Sequence, residues 1–294
     1  LPMFFYDDRG RLHLFYHGQR QGVFTLFHAE SADGAVFDEP EVLARVGDLR
    51  GAFFPAVHFE GPYVFVVWQG KGDFRGVLSD DLYFTRSENY GRSWSSPRRI
   101  TASPANDAAP AIAFYRDTIY CVYQNNDDKN WAIRMLRGGD YGKTWSERPI
   151  DVTSTNANCY APRIMPGRSD ELIVVWYDAR DVRPGVMSRK YLPADRTFSP
   201  ENRLSPQKVP ARKPVMMSAD ARVVAMWEEG GRIAVNHTDV YVSTPAVTSP
   251  THPENTWSRE ATALVQWVPP ADESGIAGYA VIVNKEPDFI PAVQ

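Results

Sequence analysis

The chain has 294 residues, enough for one large domain or two smaller ones. Its 32 Lys and Arg residues against 36 Asp and Glu residues give a formal net charge of −4. The absence of a basic stripe argues against a nucleic-acid partner, and the absence of an apolar run of about 18 residues argues against a membrane span. Aromatic residues (13%) and 23 prolines favour short strands and many turns. The sequence therefore predicts an all-β protein.

Five prolines recur at intervals of 52 to 55 residues and divide the chain into similar units. These prolines are Pro2, Pro55, Pro110, Pro162 and Pro214. Each begins a short apolar segment, and a second, stronger strand ends in an aromatic residue 13 or 14 positions later. Because the second strands are apolar at consecutive positions, both of their faces are expected to be covered. Four strands in about 50 residues, repeated five times, predict the blades of a β-propeller.

A turn motif accompanies the repeat. Residues 87–94 read Ser-Glu-Asn-Tyr-Gly-Arg-Ser-Trp, residues 138–145 are a near-copy, and residues 31–37 are a copy one residue short. This pattern resembles the Asp-box, Ser-x-Asp-x-Gly-x-x-Trp, of the bacterial neuraminidase repeat propellers, a group that includes sialidases. The resemblance covers residues 1 to about 243 and is specific for the fold but only weakly specific for activity.

The box residues are expected to be structural. An Asp or Asn side chain accepts hydrogen bonds from its own turn, a glycine provides a positive φ, and a tryptophan ring is buried between neighbouring sheets. These residues are Asp33, Asn89, Gly91, Trp94, Asp140, Gly142 and Trp145. A single carboxylate in a box cannot supply the six or more oxygens that calcium requires. We therefore expect no metal and no cofactor.

The domain prediction is a propeller over residues 1–243, a Pro-rich linker over 244–253 and a partial module over 254–294. The module resembles the first half of a fibronectin type III or Ig-like domain, which needs about 100 residues, so we expect a truncated β-sandwich. Sialidase propellers have six blades. The five visible repeats suggest that one blade is missing before Leu1, with a closed five-bladed ring as the alternative.

Candidate ligand-binding residues are expected on the face where the second strands end and the first strands begin, which we call the channel-mouth face. Residues that follow the second-strand aromatics are His17, Gln69, Gln124, Asp178 and Glu228, with Arg180 in the same loop as Asp178. Residues shortly before the prolines include Arg50, Asp107, Tyr160 and Arg212. Such a mixture of acids, bases, amides and aromatics suits a polar ligand such as a sugar. An alternative for Asp178 and Arg180 is that they bond each other and brace their loop.

The resemblance to sialidases does not extend to their catalytic residues. Sialidases bind the substrate carboxylate with three arginines, the first in an Arg-Ile-Pro motif, and use a Tyr nucleophile activated by a Glu together with an Asp acid/base. None of the residues that precede the five prolines here is Arg. Arg163 follows its proline, and a shift of one residue is expected to turn it to the other face. We therefore predict no catalytic residue.

The leading hypothesis is a non-catalytic binding or scaffolding propeller whose ligand at the channel-mouth face is a glycan or a protein. The alternatives are a glycoside hydrolase of sialidase type and a structural subunit of a cell-surface assembly, with a partner chain at the open propeller or module edge. The resemblance implies an extracytoplasmic location.

Overall fold

The structure is a computed structural model. It describes residues 2–43, 52–127, 129–167, 170–206, 209–219, 222–237 and 247–251, together with Arg259, Thr262, Leu264, Gln266 and Trp267. The chain divides into two compact units, Leu1–Thr238 and Asp239–Gln294. The described residues of the first unit form five antiparallel sheets in chain order, each built from consecutive strands. The fold is an all-β propeller, as the sequence predicts, and each sheet is called a blade below.

The first two blades contain four strands each. Blade 1 comprises β1 (Met3–Tyr6), β2 (Leu12–Arg20), β3 (Val23–Ser31) and β4 (Glu41–Val42). Blade 2 comprises β5 (Ala52–Glu60), β6 (Tyr63–Phe74), β7 (Val77–Ser87) and β8 (Arg98–Arg99). Their second and third strands are long and apolar, and four consecutive residues of β6, Val64 to Val67, have no exposed surface. Both faces of this strand are covered, because a neighbouring blade packs on each side.

Blades 3 and 4 each add a fifth short strand. Blade 3 comprises β9 (Asp107–Tyr115), β10 (Thr118–Asn125), β11 (Ala132–Gly138), the short helix α1 (Gly139–Gly142), β12 (Thr144–Trp145) and β13 (Ile150–Asp151). Blade 4 comprises β14 (Cys159–Pro166), β15 (Leu172–Asp178), β16 (Gly185–Leu192), β17 (Thr197–Phe198) and β18 (Asn202–Arg203). Blade 5 has three described strands, β19 (Ala211–Ala219), β20 (Arg222–Glu229) and β21 (Arg232–His237).

The Asp-box turns of blades 2 and 3 join neighbouring blades on the face opposite the channel mouth. Asn89 Oδ1 accepts hydrogen bonds from Ser93 N at 2.9 Å and from Ser87 Oγ at 2.9 Å, and Gly91 has φ +84°. The Trp94 ring then packs against Phe15 of blade 1, with centroids 6.2 Å apart. These contacts hold the turn in shape and place its tryptophan between two sheets.

The other two boxes differ in how the acidic residue is used. Asp33 Oδ1 accepts hydrogen bonds from the backbone N–H groups of Ala35 and Val36, so this carboxylate stabilises its own turn. In the box of blade 3 the carboxylate of Asp140 instead pairs with Lys143 Nζ at 3.4 Å. The position that is Ser87 in blade 2 is Gly138 here, so no hydroxyl is present to help hold the carboxylate over the turn. Trp145 still packs edge-on against Phe84 of blade 2.

The second unit has few described residues. They include β22 (Val247–Thr248), which pairs antiparallel with β23 (Gln266–Trp267). The prediction of a partial fibronectin type III or Ig-like module over 254–294 falls mostly on residues outside the described set. No helix among the described residues is long and apolar enough to cross a membrane.

Candidate ligand-binding site at the channel mouth

The first strands of all five blades line one central cavity of about 510 Å³. Each strand contributes an apolar side chain to its wall, and these are Met3, Ala56, Ala111, Ile164 and Met216. Pro55 and Pro110 also line the cavity. Three of the five prolines that mark the repeat, Pro2, Pro55 and Pro110, therefore line the channel of the propeller.

Four of the five prolines, Pro55, Pro110, Pro162 and Pro214, sit in a β-bulge. The residue before the proline has a positive φ in these four successive blades: Phe54 (+49°), Ala109 (+49°), Ala161 (+51°) and Lys213 (+54°). The pairing between the first and second strands shifts register at the same points. Proline lacks an N–H and fits a bulge without losing a ladder hydrogen bond. The first strands of blades 2 to 5 therefore begin three residues before the proline, and not at the proline as the sequence pattern suggests.

Two predicted site residues support these bulges from the preceding blade. Gln69 Oε1 accepts a hydrogen bond from Ala109 N at 3.3 Å, and Gln124 Oε1 accepts from Ala161 N at 2.8 Å. In both cases the donor is the positive-φ residue before the proline. The two glutamines thus connect blade 2 to blade 3 and blade 3 to blade 4, and Gln124 also lines the cavity.

Arg163 is the one charged residue among the described residues that line the cavity. Among the described residues its guanidinium makes one hydrogen bond, from Nη1 to Pro162 O at 2.8 Å. Burial lowers the pKa of Arg163 from its usual value because water is withdrawn from the guanidinium. The expectation that Arg163 faces away from the channel is wrong, because the bulge at Ala161–Pro162 changes the alternation of faces along β14.

Exposed aromatic rings flank the cavity on the side of blades 1 and 2. Phe53 lies 4.9 Å from Phe24 and 6.5 Å from Phe54, measured between ring centroids. Phe54 is 60% exposed and also lines the cavity. The predicted residue His17 lies within 6.5 Å of all three rings. Its Nδ1 is buried with no hydrogen-bond partner, and burial lowers the pKa of its imidazole.

A second aromatic group lies at the channel-mouth ends of blades 3 and 4. The predicted residue Tyr160 lies 6.5 Å from Trp131 and 6.0 Å from Tyr177, between ring centroids. All three side chains are half-buried, so each keeps some surface for a ligand. The sequence analysis named Tyr160 as a candidate but did not name Phe54, Phe53 or Trp131. The signal that could have found the phenylalanines is the pair of aromatics directly before Pro55.

Asp178 and Arg180 bond each other. Arg180 Nε donates to Asp178 Oδ1 at 2.8 Å and Arg180 Nη2 to Asp178 Oδ2 at 2.7 Å, while Trp176 Nε1 also donates to Oδ2 at 2.9 Å. Asp178 is only 1% exposed. Although burial alone would raise the pKa of Asp178, these hydrogen bonds and the charge of Arg180 lower it overall. Arg180 Nη2 also contacts Glu201 at 2.6 Å. This geometry matches the bracing alternative.

The remaining predicted residues are dispersed. Glu228 forms an ion pair with Lys213 Nζ at 3.0 Å, and Arg212 lies exposed on β19. Arg50 is outside the described residues.

The tryptophan–carboxylate contact of blade 4 recurs in blade 5. Glu229 accepts a hydrogen bond from Trp227 Nε1 at 2.8 Å, as Asp178 does from Trp176 Nε1. In blade 2 the corresponding residue is Gly70, and Trp68 Nε1 is accordingly buried without a partner.

Asp107 faces a separate polar cavity of about 490 Å³ that is also lined by Tyr123 and Arg134. Asn125 Nδ2 donates to Asp107 Oδ1 at 2.7 Å. Burial raises the pKa of Asp107 to about 6, because Asp107 is only 2% exposed and the charged form is poorly solvated. Among the described residues, Asp107 is not part of the lining of the central cavity.

The raised pKa gives a prediction for stability against pH. The folded state holds the Asp107 proton more tightly than the unfolded state, so this group's contribution to stability is lost as pH rises from about 4 to about 6. The loss is about 3 kcal/mol at pH 7. In Asp107→Asn this loss should be absent, so the variant gains about 3 kcal/mol over the native chain between pH 4 and pH 7. Urea unfolding of both proteins across this range measures the difference, and parallel pH profiles would contradict it.

No protein-family model matches the sequence, and no curated protein matches it. Solved structures do resemble the fold. A protein of unknown function from Dyadobacter fermentans has TM-score 0.60 and 15% identity, with 77% of this chain and 74% of that chain covered. The Hadza microbial sialidase has TM-score 0.53 and 17% identity, with 77% and 52% covered. An endo-arabinase from Bacteroides thetaiotaomicron has TM-score 0.51 and 12% identity, with 82% and 94% covered.

These comparisons define the class of fold. The chain has the β-propeller fold found among sialidase and arabinase structures. It spans about half the length of the sialidase chain that it matches. At these identities the likeness concerns the fold, so any ligand must be argued from the site itself.

Proposed function

We propose that this propeller binds a glycan at its channel-mouth face without hydrolysing it. The observation that carries the proposal is the central cavity, where exposed Phe54 and the guanidinium of Arg163 share one apolar lining. A sugar ring has an apolar C–H face that can stack on an aromatic ring, and polar groups that a few placed donors can bind. The half-buried Trp131, Tyr160 and Tyr177 extend this aromatic surface on the other side.

Arg163 favours an acidic glycan. A guanidinium can bind a carboxylate through two parallel N–H···O hydrogen bonds, and Arg163 uses one donor on Pro162 O. Because burial lowers the pKa of Arg163, an anion in the cavity would offset the lost solvation of its charge. We infer a ligand with a carboxylate, such as a sialylated or uronate-containing oligosaccharide.

Binding should depend on both residues. We expect Phe54→Ala and Arg163→Gln each to weaken the binding of an acidic oligosaccharide by about 1–2 kcal/mol, which is a five- to thirty-fold loss of affinity. Phe4→Ala is the matched control, since Phe4 is similarly exposed (55%) but is not part of the cavity lining. A glycan array identifies the best ligand, and calorimetric titration with that ligand then measures the affinity of the native chain and of each variant. Equal affinity in all four proteins would contradict the proposed site.

The alternative is a glycoside hydrolase of sialidase type. Incubation of the full chain with fluorogenic sialosides and a broader panel of fluorogenic glycosides separates the two proposals. Turnover that disappears in Arg163→Gln would overturn binding without hydrolysis and establish the enzyme. Binding without turnover supports the proposal.

An extracytoplasmic location belongs to the same proposal and rests on the resemblance to sialidase propellers. Labelling of the protein by an impermeant reagent on intact cells tests this location.

A structural role in a cell-surface assembly is favoured by a different observation. The two end blades present apolar side chains to solvent, with Ile233 78% and Val235 52% exposed on blade 5 and Phe4 55% exposed on blade 1. Such faces suit a further sheet, because propeller blades bury their faces sheet against sheet. In this proposal the sheet comes from a partner chain, and a ring of six blades is the complete form. A monomer in light scattering of the full chain would argue against it.

A further inference from the structure

Two histidines lie inside blade 1, near the propeller face opposite the channel mouth. His13 on β2 is fully buried and His28 on β3 is 2% exposed. Their rings are nearly parallel (8°), and His13 Nδ1 lies 3.0 Å from His28 Nε2. Two imidazoles in contact inside a core need a physical reason, because buried polar atoms are costly unless each is satisfied.

A carboxylate completes the cluster. Glu30 Oε1 lies 3.9 Å from His13 Nδ1, and the donor atoms of the three side chains all lie within 4.8 Å of one another. A tetrahedral zinc ion about 2.0–2.1 Å from each ligand separates its ligand atoms by about 3.3 Å. The observed 3.0 Å and 3.9 Å lie on either side of this spacing. Small side-chain rotations would therefore bring the three atoms to the spacing of a metal site.

Neighbouring groups orient two of these donors toward the cluster. Asp7 Oδ2 lies 3.4 Å from His13 Nε2 and can hold a proton there, which leaves the Nδ1 lone pair directed at the cluster. Arg11 Nε donates to Glu30 Oε2 at 2.8 Å, which leaves Oε1 available. Asp7 is itself fixed by the backbone N–H of Arg9 and Arg11. A carboxylate behind a ligating histidine is the usual support of zinc ligands in proteins.

We propose that His13 Nδ1, His28 Nε2 and Glu30 Oε1 bind a divalent transition-metal ion of the zinc type, with a solvent molecule as fourth ligand. Two imidazoles and one carboxylate form a donor set that suits zinc. Without the ion, a proton on His13 Nε2 lets His13 Nδ1 accept from His28 Nε2–H. When the ion binds, the proton of His28 occupies Nδ1 instead, so that each imidazole offers a lone pair to the ion. The side chain of Glu30 is 16% exposed and provides the side from which an ion enters.

The proposed site lies directly under the Asp-box of blade 2. The Trp94 ring centroid is 5.5 Å from that of His28. A Cβ added to Gly91 of the box would lie 2.7 Å from His28 Cε1. The ion would therefore fix the imidazole on which the box rests, and we expect metal binding to stabilise the contact between blades 1 and 2.

The test uses the full chain freed of metal with a chelator. Calorimetric titration with zinc chloride should show one ion per chain, and saturating zinc should raise the unfolding temperature by mass action. Glu30→Gln keeps an acceptor for Arg11 but loses the anionic ligand, so zinc affinity should fall at least tenfold. The matched control is Glu60→Gln, because Glu60 Oε2 lies 3.7 Å from His58 Nε2 and forms a second His–Glu pair. It should bind zinc like the native chain.

Cobalt substitution provides a readout that needs no variant. Native protein loaded with cobalt(II) should show the intense visible absorption of a tetrahedral ion with nitrogen ligands. Absence of stoichiometric zinc binding, an octahedral cobalt spectrum, or equal zinc affinity in Glu30→Gln and the native chain would each overturn the site. An unchanged unfolding temperature of metal-free Glu30→Gln would show that the variant's loss of affinity arises at the ligand.

Discussion

Replacing Asp178 with alanine is expected to destabilise the propeller by about 3–5 kcal/mol, the effect of removing one partner from a buried ion pair. The substitution leaves the Trp176 indole N–H without its acceptor and removes the three hydrogen bonds that Arg180 donates to this carboxylate, one from its backbone N–H and two from its guanidinium. Urea unfolding of the variant and the native chain at pH 7 measures the difference. We expect most of the loss to arise within blade 4, because all of these contacts lie in its own strand and loop.

The control for this experiment lies three residues away. Asp181 also pairs with an arginine, Arg203, at 2.6 Å, but its side chain is 47% exposed. Solvent screens such a pair, so Asp181→Ala should cost no more than about 1 kcal/mol. If Asp178→Ala instead kept its stability and lost glycan affinity, Asp178 would be a ligand-binding residue, as the sequence suggested, and the bracing interpretation would fail.

Replacing Gly142 with alanine is the second substitution with a large expected effect, about 3 kcal/mol of destabilisation. Gly142 has φ +80°, and an added Cβ would lie 2.5 Å from Phe84 Cζ and 2.9 Å from Ile119 Cδ1. The penalty thus combines backbone strain with a clash at the contact between blades 2 and 3. Thermal and urea unfolding both report it.

A matched glycine separates the two contributions. Gly22, in the turn between β2 and β3, also has φ +80°, but nothing lies within 4 Å of an added Cβ. Gly22→Ala should therefore show strain alone, about 1 kcal/mol. Equal losses in the two variants would mean that the neighbouring side chains move aside and that the box contributes little to packing between blades.

The sequence predicts the architecture of this protein better than its site. The spacing of Pro55, Pro110 and Pro162 reports the blade period directly, because the same bulge recurs on the first strands of blades 2 to 5. Consecutive apolar residues in β6 and β15 predict strands that are covered on both faces, and they are buried. These features are local or periodic, so a single sequence contains them.

The site depends on relations that local patterns do not contain. Regular strand alternation predicts the wrong face for Arg163, because the bulge between Tyr160 and Arg163 inserts a residue. Gln69 and Gln124 look like ligand-binding amides until the backbone N–H groups that donate to them are seen in the next blade. The pairing of His13 with His28 depends on the register of β2 and β3 and on the distant carboxylate of Asp7.

The two glutamine contacts connect each blade to the next one along the chain in the same order. In each contact, the glutamine of one blade accepts a hydrogen bond from the positive-φ residue beside the channel in the blade that follows it. If blade 2 opens, Ala109 loses the acceptor that stabilises its unfavourable backbone conformation; if blade 3 opens, Gln69 loses only a donor. Local unfolding should therefore spread toward the C-terminus more readily than toward the N-terminus. In blade 4 the equivalent position is Tyr177, which has no side-chain amide, so this coupling ends there.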